Sequence, residues 1–116
     1  MKRSVAAFIM IGLGCAAGTR VAAAQAAAPD GQALYQANCR TCHGATGTPS
    51  ERMAGLFPTL KPLSDSAFQA SVSADSIVAV LTNGTGKMRS FTGKLTPAEM
   101  AAVAKYVRTL KAAAAP

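Results

Sequence analysis

Cys39-Arg40-Thr41-Cys42-His43 decides how this 116-residue chain is read. The run uses two of the three cysteines and the only histidine. Chance would put these residues in C-x-x-C-H register less than about once in a thousand sequences of this length and composition. The spacing has a chemical reason. Two thiols three residues apart can each form a thioether with one vinyl group of the same haem, and the adjacent imidazole is then aimed at the iron. A thioredoxin-like pair belongs with a βαβ pattern, which is missing, and a structural zinc site needs a fourth ligand that Cys and His cannot supply here. A plain disulfide between Cys39 and Cys42 is chemically open but leaves the long polar loops around the motif without a purpose. The expected cofactor is one covalently attached haem c.

Outward toward the N-terminus, Lys2 and Arg3 precede the apolar run Ser4 to Ala17, and small residues fill Val21 to Ala28. This is the pattern of a secretory signal peptide, residues 1–24, with the best cut after Ala22-Ala23-Ala24, Ala24-Gln25-Ala26 as the alternative, and an expected periplasmic destination. The apolar run is shorter than the roughly 20 residues a membrane span needs. Cys15 falls inside it, and Gly12 stands where a lipid-attachment pattern wants a large aliphatic, so Cys15 is read as a discarded residue.

Processing changes the arithmetic. The formal charge of +7 includes Lys2, Arg3 and Arg20, and without them nine basic face five acidic side chains, or +4. No basic run is interleaved with aromatics, so a backbone-tracking nucleic-acid groove is not expected. Half of the residues are apolar, but 26 are alanines. Only 21 of the residues after position 24 are Val, Ile, Leu, Met, Phe or Tyr. A domain this small buries a modest core, and a cofactor commonly completes it.

Residues 25–29 read as a flexible leader and 30–111 as one domain. Asp30 caps a short helix running through Leu34 and Tyr35 to the motif. Gly44 to Lys61 is rich in Gly, Thr, Ser and Pro and reads as a long loop, a length that calls for something to wrap around. Ser64-Asp65-Ser66 starts a short helix to about Ala70. Ser73 opens another over Ala74 to Thr82, with Ile77, Val80 and Leu81 on one face and Asn83-Gly84 as the stop. Gly84 to Gly93 reads as structureless. Thr96-Pro97-Ala98-Glu99 is a capping box with proline at the first helical position, and Met100, Val103, Val107 and Leu110 form a stripe that needs the Asp30 helix as its partner. Residues 112–116 read as a frayed tail. No period-2 alternation persists, so the expected fold class is all-α.

Residues 30 to 111 resemble class I cytochrome c, the small exported c-type cytochromes of bacteria. The resemblance rests on Gly31-x-x-Leu34-Tyr35-x-x-x-Cys39-x-x-Cys42-His43-Gly44, then Phe57-Pro58-x-Leu60, Gly84-x-Gly86-x-Met88-x-x-Phe91, Leu95-Thr96-x-x-Glu99 and Tyr106-Val107-Arg108-x-Leu110. It implies three main helices, the first and last crossing near Gly31, Tyr35, Val103 and Tyr106. It also implies that the Pro58 carbonyl accepts the Nδ1 proton of His43, leaving Nε2 for iron.

With no second histidine, the other axial ligand is sought among methionines. Met100 lies on the core stripe of the last helix, and Met53 sits in the long loop. Met88 lies beside Gly84 and Gly86, which let the backbone pass close to the ring, and a Met/His pair is common in electron-carrying c cytochromes. Met88 is the expected second axial ligand. The family usually has proline after this methionine, and here Arg89 follows. The resulting expectation is a monomeric one-electron carrier, not an enzyme, whose Lys87, Arg89 and Lys94, with Lys61 and Arg40, steer an acidic redox partner. The alternatives are a haem-based sensor or minor peroxidase with a labile Met88, and a cytochrome subunit of a larger redox enzyme.

Overall fold

The computed structural model describes residues 26–111; the expected signal segment and the 112–116 tail lie outside the described residues. Six helical segments follow one another: α1 Gly31–Asn38, α2 Arg40–His43, α3 Glu51–Leu56, α4 Ser66–Ser71, α5 Ala74–Asn83 and α6 Pro97–Val107. Among the described residues no strand forms, only the isolated bridges Thr85 to Met88 and Thr92 to Leu95. The all-α expectation is met by α1, α5 and α6, the three helices of eight or more residues.

Each of these three starts where side-chain chemistry stops the preceding chain. The Asp30 carboxylate accepts from the Gln32 and Ala33 amides, both at 3.0 Å. Ser73 and Ser76 cap each other reciprocally at the start of α5. Thr96 and Glu99 do the same for α6, with Pro97 at the first helical position, where its missing N–H costs nothing.

α6 lies between α1 and α5 and touches both. Its stripe Met100, Val103, Val107 and Leu110 is buried together with Tyr35, Cys39, Leu81 and Leu95. Leu110 belongs to the turn after α6, not to the helix. The α1/α6 crossing is close because residue 31 is glycine: a Cβ there would overlap the Ala102 carbonyl and lie 3.2 Å from the Cβ of Tyr106. One turn further along, the rings of Tyr35 and Tyr106 meet with centroids 5.3 Å apart and tilted by 56°.

One expectation fails. The Gly44 to Lys61 segment is not a continuous loop, because Glu51–Leu56 folds as α3. Ser50 caps it by accepting from the Met53 amide, and Glu51 sits favourably in the first turn.

Candidate haem-attachment site

The motif occupies the corner between α1 and a single further helical turn. Cys39 ends α1, its amide donating to the Tyr35 carbonyl at 2.8 Å, and also begins α2, accepting from the amides of Cys42 at 3.2 Å and His43 at 3.0 Å. This tight turn presents both thiols and the imidazole from five consecutive residues. Both cysteines of the motif are free thiols in this structure. Cys39 is buried in the core and Cys42 is exposed. Burial pushes the Cys39 thiol up to about 11, and nearby Lys94 only partly opposes this.

His43 is partly buried, and that burial holds its imidazole below the ordinary range. The neutral ring is the form that binds a metal. Its Nδ1 is buried without a hydrogen-bond partner, so the bond expected from the Pro58 carbonyl is not made in this structure, and Pro58 is exposed. An imidazole is aimed by contacts at both of its nitrogens, whereas the chain alone gives this ring only its burial. Among the described residues, no three His, Cys, Asp or Glu gather into a metal site.

The segment after His43 is held by α1. The Tyr35 hydroxyl donates to the Gly44 carbonyl at 2.7 Å and the Gln36 amide group to the Ala45 carbonyl at 2.9 Å. Neither contact was legible in the sequence, since each joins residues nine apart across a chain reversal. Met88 comes from the loop after α5 and is half-buried against the core cluster that includes Cys39, as are Leu34, Leu63, Ile77 and Phe91. Met100 is 5% exposed on the core stripe, and its sulfur faces the Thr82 hydroxyl at 3.9 Å. Met53 lies on α3 and is half-buried. Of the charges expected to ring the site, Arg40, Lys61, Lys87, Arg89 and Lys94 are all exposed, and the Lys94 ammonium lies 5.7 Å from the Phe91 ring centroid.

These residues fit a covalently held haem: two free thiols, an imidazole with an orphaned buried nitrogen, and a set of apolar side chains that the chain covers only in part. The sequence profile described as "Cytochrome C oxidase, cbb3-type, subunit III" matches residues 26–107. The chain belongs to the c-type cytochrome family. Cytochrome c6 of Nostoc sp. strain PCC 7120 is 33% identical over 103 residues, covering 86% of this chain and 88% of that protein. The cbb3-type cytochrome c oxidase subunit FixP of Azorhizobium caulinodans is 33% identical over 85 residues, 72% of this chain but 27% of that one. Among solved structures, the KustC0563 c-type cytochrome superposes with a TM-score of 0.64 at 37% identity, covering 71% of this chain and 98% of its own. As a c-type cytochrome, the chain is an electron-transfer protein with covalently attached haem c, and its all-α fold is that of its structural neighbours.

Proposed function

We propose that this cytochrome is a periplasmic one-electron carrier, exported by a cleaved signal at residues 1–24, with one haem held by Cys39 and Cys42 and its iron ligated by His43 and Met88. Bound haem supplies a one-electron ferric/ferrous couple. The rest is the work of the chain. The α1/α2 corner presents the two thiols and the neutral imidazole together, and His43 Nδ1 is left without a protein acceptor. Met88 would supply a thioether to the iron, a ligand type that would favour the ferrous state. The single observation that carries this reading is the orphaned, buried Nδ1 of His43 one residue from the free Cys42 thiol, with Met88 packed against the core cluster that contains Cys39.

The test is an absorption spectrum of the oxidised holoprotein. A sulfur-to-iron charge-transfer band is expected in the wild type and in Met53→Ala, and is expected to be lost in Met88→Ala. A band that survives Met88→Ala removes the ligand assignment, and ready binding of carbon monoxide by the reduced wild type favours a sensor.

The match to an oxidase-subunit profile and to FixP favours a second reading, a cytochrome held in a larger redox assembly. Gel filtration of a native extract separates the two: haem eluting at the size of the free chain supports the carrier, and haem eluting with a large complex supports the subunit. Among the described residues no helix is long and apolar enough to cross a membrane. For either assembly, the exposed Lys87, Arg89 and Lys94 are assigned to steering an acidic partner, with association slowing as salt rises.

A further inference from the structure

The loop that carries Met88 has little stiffness of its own. Arg89 fixes no dihedral, and Gly84 and Gly86, at φ 72 and 52, are the residue type with the widest conformational freedom. Met88 itself is only half-buried, so its side chain is not locked by its surroundings alone.

The loop is nevertheless tied at both ends. On one side, Thr85 and Met88 exchange backbone hydrogen bonds at 2.9 and 2.8 Å, and Gly84 donates to the Val80 carbonyl at 2.7 Å. On the other side, the anchors come from the end of α5. The Phe91 amide donates to the Leu81 carbonyl at 2.7 Å. The Ser90 hydroxyl donates to the Thr82 carbonyl at 2.5 Å, and the Thr92 hydroxyl donates to the same oxygen at 3.0 Å. The Thr92 amide then donates to Ser90 Oγ at 3.1 Å, linking the two hydroxyl residues. Val80, Leu81 and Thr82 are within the last four residues of α5, whose carbonyls have no partner inside the helix. Their orphaned acceptors become the anchor points of the loop.

We propose that Ser90 and Thr92 act as positioning residues, a hydroxyl clamp on the Thr82 carbonyl that holds Met88 toward the haem site and sets how readily its thioether leaves. The proposal rests on the assignment of Met88 as axial ligand. Without the clamp, Leu81 and Phe91 still hold the loop's far end, but residues 88–90 gain freedom to swing outward. One neutral hydrogen bond corresponds to roughly a fivefold change in such an equilibrium.

The experiment mixes ferric holoprotein with imidazole, which binds iron only after the thioether has left. Ser90→Ala and Thr92→Val are each expected to raise the apparent affinity for imidazole by roughly fivefold. The double variant is expected to gain less than the product, because the hydroxyls share one acceptor. Thr92→Ser, which keeps the hydroxyl, is expected to behave as wild type. If the double variant binds imidazole as the wild type does, while Met88→Ala has lost its charge-transfer band, the clamp fails and the ligand assignment stands. A lowered melting temperature with unchanged imidazole affinity also overturns it, reducing the hydroxyls to helix caps. If Met88→Ala keeps its band, both ideas fall together.

Discussion

Tyr35 is fully buried, and its hydroxyl bridges to the carbonyl that follows the haem-attachment motif. Burial above all pushes the phenol well above its ordinary range. The unfolded chain releases this proton near pH 10 while the folded chain keeps it, so Tyr35 contributes fully below about pH 10 and its contribution is lost as pH rises above that value. Tyr35→Phe keeps the ring against Tyr106 and removes only the hydroxyl. It is expected to lower holoprotein stability at pH 7 by about 1–2 kcal/mol and to flatten the alkaline fall. Guanidinium unfolding from pH 7 to above 10 checks both, and an unchanged alkaline slope would contradict the assignment. At this scale the sequence was readable where chemistry is contiguous: five adjacent residues announce the haem. Tyr35 was legible as a core residue but not as a donor, because its acceptor at Gly44 lies beyond the turn formed by α2.

Helix starts were readable because a cap is a local matter of one side chain and the next three amides. Asp30, Ser73 and Thr96 all cap as their sequences imply. α3 escaped because its six residues make less than two turns, contain Gly55 and lie between Pro49 and Pro58, so no apolar stripe is long enough to register. The α4 to α6 link escaped for another reason. Gln69 donates to the carbonyls of Leu63 and Val107 at 2.6 and 2.9 Å and accepts from Arg108, contacts between residues up to 39 apart. The capping box of α6 gives the prediction proper to this scale. Thr96→Ala leaves the Glu99 amide without its partner and is expected to cost about 1 kcal/mol of stability, with the charge-transfer band intact. Thr96→Ser is expected to restore it. Chemical denaturation measures the difference, and a loss of the band together with stability would place Thr96 in the site rather than at a helix end.

For the molecule as a whole, composition was the least direct guide: 26 of the apolar residues are alanines, which add little to a core, and the net charge is +4 instead of +7 only with residues 1–24 removed. The core consists of the α1/α6/α5 contact, and only Tyr35 and Val103 among its larger side chains are less than 2% exposed. Leu34, Leu63, Ile77, Met88 and Phe91 lean on that core without being enclosed by it, and a half-covered apolar side chain contributes well under the roughly 1.5–3 kcal/mol of a fully buried one. Backbone ordering costs about 1–2 kcal/mol per residue regardless, so the chain alone should be poorly stable. Cys39→Ala/Cys42→Ala, which removes both attachment points, is therefore expected to give a protein without covalent haem stain, with reduced helical circular dichroism and no cooperative melting transition. Retained covalent haem would refute attachment through these cysteines. A haem-free chain that melted as sharply and as high as the holoprotein would show instead that α1, α5 and α6 close a sufficient core by themselves.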